Sequence, residues 1–263
     1  MTEITPSTEK RDLRPFLDCA MEIGEQMLVC GAEVHRVEDS VRRICYAVGA
    51  ERVDMFGITS SMVLTVRGAD GKLYTQTRRV TSLETDFHKL DRLNRLSRRI
   101  CSESMTVEQI RDELDAIGRI RHYPFWAECL AYVMISSSFA LFFGGGWQQA
   151  IAAGVISVIL RFVVELADRM IQNAIFSKFL CSFVLTALTF GAVRLGLAPR
   201  ADEIIIGCIM LLIPGIGFTN AMRDIFTGDS IAGVLRCLEA VLGALAIAGG
   251  YYLFAFLTGG GAI

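Results

Sequence analysis

Two kinds of hydrophobic pattern divide this chain near residue 122. Before that point apolar residues recur with a helical or a strand period. After it they run almost without interruption. In residues 11–30, Leu13, Phe16, Leu17, Ala20, Met21, Gly24, Met27 and Leu28 fall on one helical face. Residues 33–48 repeat the pattern with Val34, Val37, Val41, Ile44 and Val48, and Gly31 between the two fits a left-handed helix cap. Alternation then predicts strands at 52–56, 60–67 and 72–79, with a Gly-Ala-Asp-Gly turn at 68–71. The helical period returns at 83–102 and 106–118, where Thr106 is the expected N-cap and Glu108 and Gln109 lie in the first turn. Residues 13–122 therefore read as a small α+β domain of about 110 residues, enough for its own core. Residues 1–12 read as disordered.

Beyond residue 123 the pattern changes to membrane length. Residues 129–160 carry no charge, which is too long for one helix, and the glycines at 144–146 split the run. Spans are predicted near 125–143, 147–166, 175–197, 203–222 and 231–257, each close to the roughly 20 residues that cross a bilayer core. The fold class expected is an α-helical polytopic membrane domain of five spans at 123–263, preceded by a small cytoplasmic α+β domain.

Composition sharpens this only through its distribution. Half of the 263 residues are hydrophobic (52%), which many soluble domains match. Residues 1–123, however, hold 19 basic and 20 acidic side chains, or 32% charged, against 7 and 8, or 11%, in 124–263. Arg119 and Arg121, then Arg169 and Lys178, then Arg223 flank the spans on one side, against Arg194 and Arg200 on the other. That bias predicts a cytoplasmic N-terminal domain and, after five spans, a C-terminus outside the inner membrane. The first 18 residues hold no apolar run after their basic ones, so no secretory signal is expected there. The net charge of −2, near zero in each half, gives no basic field for nucleic acid. Eight scattered cysteines without a C-x-x-C pair and three unclustered histidines point to neither a disulfide framework nor a metal site. No P-loop is present, so transport driven by ATP on this chain is disfavoured. No cofactor is expected.

Several polar features of the charge-poor half exceed what a passive anchor needs. Pro214-Gly215 falls in the middle of the fourth span, where it either breaks the helix to aim backbone groups at a substrate or kinks it for packing. Asn220, Arg223 and Asp224 follow, as a gate or as an ordinary helix exit. Arg161 and Glu165 share a helix face at i,i+4. Arg236 and Glu239 lie in the fifth span, with Glu239 roughly 12 Å in by the helical rise. An intramembrane carboxylate is a candidate for proton or substrate coupling, and the alternative is a structural i,i+3 pair with Arg236. In the cytoplasmic half Glu33, His35, Arg36, Glu38 and Asp39 cluster on one helix, where i,i+4 pairs such as Glu38/Arg42 and Asp39/Arg43 read as a solvated face. No catalytic constellation is visible there.

Two stretches carry a resemblance. Residues 28–38 (LVCGAEVHRVE), with the following amphipathic helix, strands and Arg-rich helix at 89–100, resemble the cytoplasmic region of the threonine/serine exporter family. Residues 214–224 (PGIGFTNAMRD), followed by Gly228, Asp229 and Ser230, resemble its membrane signature. The resemblance runs in order from about residue 14 to 257. It implies a secondary exporter of threonine and serine or of a dicarboxylate such as succinate, without choosing between them. It carries over Gly31, Glu33, Arg36 and Glu38 in the cytoplasmic domain and Pro214, Gly215, Asn220, Arg223, Asp224, Gly228 and Asp229 in the membrane domain. Members of the family have about ten membrane helices or are split into a larger and a small membrane subunit. A chain of five spans therefore implies a small membrane subunit as partner, in a homo- or hetero-oligomer within the lipid bilayer. The competing expectation is a membrane-anchored enzyme or sensor whose cytoplasmic domain carries the activity.

Overall fold

The computed structural model describes residues 12–120, 123–171 and 173–259. The expected disorder at 1–12 thus falls, but for Asp12, outside the described residues, as does the domain edge at 121–122. The described residues form two compact units. One joins the N-terminal region to Thr219–Arg236, and the other contains 123–218 and 237–259.

In the N-terminal unit, α1 (Arg14–Val29) and α2 (Val34–Ala47) precede an antiparallel meander of β1 (Ala50–Ile58), β2 (Ser61–Gly68) and β3 (Leu73–Arg79) in the order β1-β2-β3. Then come α3 (Phe87–Ser102) and α4 (Val107–Gly118). The alternation in β2 sends Met62, Leu64 and Val66 into the core, where they meet Leu17, Met21, Met27 and Leu28 of α1 and Val37, Val41 and Ile44 of α2. Gly24 is the point of closest approach: a Cβ there would lie 2.7 Å from Val41 Cγ2 and 2.9 Å from Met62 Cε. Thr106 caps α4 in a reciprocal box with Gln109, as its sequence predicts. α3 starts later than the periodicity suggests, because Asp86 caps it by accepting from the Lys89 N–H. The residues before the cap are held extended, with the Glu84 N–H bonded to the Val29 carbonyl.

The same unit takes in the last residues of α9 (Gly215–Thr227) and the first of α10 (Ser230–Leu257). Gly228 joins the two helices at φ +100°, a left-handed conformation that favours glycine. Ala232 of α10 is buried in the N-terminal core. Gly233 lets α10 approach α9, since a Cβ there would meet Ile225 Cγ1 and the Ala221 carbonyl within 2.8 Å.

The second unit is helical. Among the described residues four helices are long and apolar enough to cross a membrane: α5 (Phe125–Phe142), α6 (Trp147–Met170), α7 (Ala174–Arg194) and α10. They answer to four of the five expected spans. The fourth expected span, 203–222, is not one continuous helix. It divides into α8 (Asp202–Ile209) and α9, with turns across 210–214. The physical cause is Pro214, which lacks the N–H that an unbroken helix would use at that position.

Small residues bring these helices together, as expected where lipid supplies no hydrophobic contrast. The Ser136 hydroxyl of α5 donates to the Ala153 carbonyl at 3.2 Å and that of Ser137 to the Ala150 carbonyl at 2.8 Å. Gly207 of α8 lies against the Ser136 carbonyl and Ala140 of α5. Although only eight residues long, α8 buries Ile204, Ile205 and Cys208. The Ser182 hydroxyl of α7 donates to the Ile247 carbonyl of α10 at 2.6 Å.

Candidate functional site

The two motif stretches meet inside the N-terminal unit. α1 ends at Cys30, and Gly31 adopts φ +89°, which turns the chain into α2 and leaves its own carbonyl and that of Ala32 pointing outward. Asn220, Arg223 and Asp224 recur at i, i+3 and i+4, so they share one face of α9. From that face the Asn220 amide donates to the Gly31 carbonyl at 3.0 Å. The Arg223 guanidinium donates to Glu33 Oε1 at 2.6 Å. One turn into α10, the Arg236 guanidinium donates to the Ala32 carbonyl at 2.7 Å and lies 3.3 Å from Asp224 Oδ2. Asp229, just after Gly228, approaches His35 Nδ1 at 4.0 Å. Glu38 accepts from the Gly57 N–H at 2.7 Å and stands 4.0 Å from Arg42.

Burial grades this network. Asp224 is 0% and Arg236 6% exposed, whereas Arg223 remains open to solvent. Burial pushes the Asp224 carboxyl above its usual range, opposed by Arg236 and reinforced by Glu33 and Asp229. Burial likewise raises the Glu38 carboxyl, opposed by the Gly57 N–H. The arrangement is a clamp: two guanidiniums and an amide fasten the turn between α1 and α2 to the α9–α10 corner. It holds no nucleophile with a base beside it. Among the described residues no group of three or more His, Cys, Asp or Glu side chains is placed to hold a metal. The cysteine thiols are free, and burial pushes those of Cys30 and Cys45 up to about 11 and about 12, away from reactivity.

The site residues read from the sequence thus separate into groups. Gly31, Glu33, Asn220, Arg223, Asp224 and Asp229 come together with Arg236, and Glu38 lies beside them. Arg36 is exposed and makes no ion pair among the described residues. Pro214 and Gly215 mark the break before α9. Arg161 and Glu165 do pair, at 2.9 Å, within a chain that adds Glu128 of α5 and Arg169. The Arg161 guanidinium also lies over the Phe125 ring. Arg236 does not pair with Glu239; it turns to Asp224 instead, and Glu239 is exposed on α10. Lys178 of α7 lies within electrostatic reach of Glu239, without an ion pair between them. Sequence reasoning passes over Lys178 as a loop charge, although it is the one lysine in residues 124–263.

Comparison with known proteins covers most of the chain. The chain is 24% identical to a probable threonine/serine exporter of Mycobacterium tuberculosis over 231 residues, which is 87% of this chain and 43% of that protein. It is 24% identical to the threonine/serine exporter of Corynebacterium glutamicum over 245 residues, 89% of this chain and 50% of that one. It is 23% identical to the probable succinate transporter subunit YjjP of Klebsiella aerogenes over 239 residues, 90% of this chain and 92% of that one. The chain therefore spans about half the length of the two named exporters and nearly all of the subunit. No solved structure matches it significantly. The family described as "Putative threonine/serine exporter", ThrE, matches residues 18–258, through the α+β unit, the membrane helices and the clamp that includes Asp224 and Arg236. This chain, a multi-pass membrane protein, belongs to that ThrE family.

Proposed function

We propose that this chain is one subunit of a secondary exporter of small hydrophilic metabolites, threonine and serine or a dicarboxylate such as succinate, in the cell inner membrane. The observation that carries the reading is the ThrE match across residues 18–258, with relatives named as exporters and as a transporter subunit. The N-terminal unit is cytoplasmic in this reading, the C-terminus is outside, and a small membrane protein of the same family is the partner. The coupling ion proposed is the proton.

Five crossings are part of this reading, by parity. The α9–α10 corner belongs to the N-terminal unit, and in this reading it stays on that unit's side of the membrane. If α5, α6 and α7 each cross, the chain leaves α7 on the opposite side. It must then return before α10 sets out, and the segment available is α8 with the turns up to Pro214. A discontinuous crossing of this kind needs its freed backbone groups covered by protein. The burial of α8 against α5 supplies such cover.

The test is efflux of preloaded labelled threonine, serine and succinate from cells that contain both subunits or lack this one. Loss of efflux for at least one substrate is expected, and collapse of the proton gradient should stop it. Efflux unchanged by the deletion for every substrate would overturn the reading.

A further inference from the structure

Three elements of the membrane unit converge on Gly243 of α10. A Cβ placed there would lie 3.0 Å from Nζ and 3.4 Å from Cδ of Lys178, and 3.7 Å from Cγ of Pro214. The absence of a side chain at Gly243 is what allows the lysine of α7 to cross α10 beside the α8–α9 break. Glu239 sits one turn earlier on α10, on the same face as Gly243, and its charge acts on the lysine. The two do not close into an ion pair. Among the described residues Lys178 has no hydrogen-bond acceptor and no carboxylate within 4 Å of its ammonium. That leaves its three donors without a protein acceptor among the described residues, on a helix long and apolar enough to span the membrane. Arg161, by comparison, is held by two carboxylates and an aromatic face.

We propose that Lys178 is the carboxylate-binding residue of this chain's transport pathway, with Gly243 as the floor of the site and Glu239 as a fixed counter-charge. The proposal rests on the exporter reading for the kind of ligand expected. A carboxylate lying over Gly243 would complete the ammonium's hydrogen bonds. Glu239 would then face whatever the ligand carries at its other end. For an α-amino acid that is an ammonium, which Glu239 attracts. For a dicarboxylate it is a second anion, which Glu239 repels.

The experiment uses the full chain in lipid nanodiscs and measures binding of labelled threonine and of labelled succinate. Lys178→Met should weaken binding roughly tenfold to a hundredfold, the loss of one charge-assisted contact, and Lys178→Arg should restore most of it. Gly243→Ala keeps every charge but places a methyl group where the ammonium lies, and it should weaken binding by several fold. Glu239→Gln should lower threonine binding and raise succinate binding, and no change in either would overturn the counter-charge role of Glu239. Equal affinities for wild type and Lys178→Met would overturn the proposal, as would failure of the wild type to bind either compound. Lys178-dependent binding together with efflux that does not need the chain would instead sink the exporter reading and leave the site standing. Efflux that needs the chain but is untouched by Lys178→Met would do the reverse.

Discussion

The Arg236 cluster of the N-terminal unit and the Arg161 cluster of the membrane unit use the same chemical groups to different ends. Arg161 meets Glu165 one turn away on its own helix and Glu128 on the neighbouring helix, and the chain continues to the solvent-open Arg169. Each link is short, and the outer ones are wet. Arg236 meets Asp224 from the preceding helix and the Ala32 carbonyl from more than 200 residues earlier, with both charges buried. The difference teaches where an ion pair matters. A pair at i,i+4 on an open face contributes a few tenths of a kcal/mol, because water would serve either partner nearly as well. A buried pair gives little net stability, yet removal of one partner strands the other without solvent. The first kind, as at Glu165/Arg169, decorates a helix. The second makes the N-terminal unit depend on a corner that the chain reaches only after its membrane helices α5, α6 and α7.

That contrast can be broken by substitution. Arg236→Ala should have the largest effect, destabilising the N-terminal unit by about 3–5 kcal/mol through the stranded Asp224. Thermal unfolding of the purified full chain reads it, and the Asp224→Leu/Arg236→Met pair should recover most of the loss. A single variant that melts with the wild type would show that the clamp carries no stability. Gly31→Ala comes next. The left-handed φ at this turn should cost about 1–2 kcal/mol in the same melt, and Gly49→Ala, also at positive φ but in open space, serves as a control for strain without the clamp. Glu33→Gln tests the exposed arm of the clamp, where Arg223 is open to water, and should cost less than about 1 kcal/mol. Arg169→Ala in the membrane unit should cost only about 0.3–0.5 kcal/mol, with the Arg161 contacts intact. A loss as large as that of Arg236→Ala would erase the distinction drawn here.

The smallest expected effect is a pH slope. Burial raises the Glu38 carboxyl in the folded protein, so the folded state holds that proton more tightly than the unfolded chain does. Stability from this group is therefore present below the ordinary carboxylate value of 4.5 and is lost as pH rises through the higher folded value. Glu38→Gln keeps an acceptor for the Gly57 N–H but removes the titration. Denaturant melts at pH 5 and pH 7 should show a smaller difference in the variant than in wild type; an unchanged difference would assign the slope to other groups.

Much of the fold is legible along the chain because its causes are local. The apolar stripe of Leu13 to Leu28, the alternation through Met62, Leu64 and Val66, and the Thr106 cap are each settled within a few residues, and the structure forms them there. The Arg161/Glu165 pair is legible for the same reason. The fourth span is only half legible. Its apolar run meets the length requirement, and the sequence marks Pro214, but a proline alone does not say whether a helix bends or parts. The structure shows that it parts at Pro214, with α8 packed against α5. For Arg236 and Glu239 the i,i+3 spacing leaves a pair open as one alternative, but a buried carboxylate on α9 partners Arg236 instead. Lys178 is passed over because a basic residue near a helix end ordinarily marks topology, and nothing in its sequence neighbourhood reveals the glycine it crosses.

The sequence by itself therefore determined most of the elements, the contrast between a charged region and an apolar one, and the family. Each depends on residue types counted or spaced along one line. Only the tertiary structure decided that Gly31 and Glu33 belong with Asn220, Arg223, Asp224 and Arg236, and that Lys178 faces Gly243 and Glu239. Those pairings depend on which side chains lose water together, and chain distance carries no record of that.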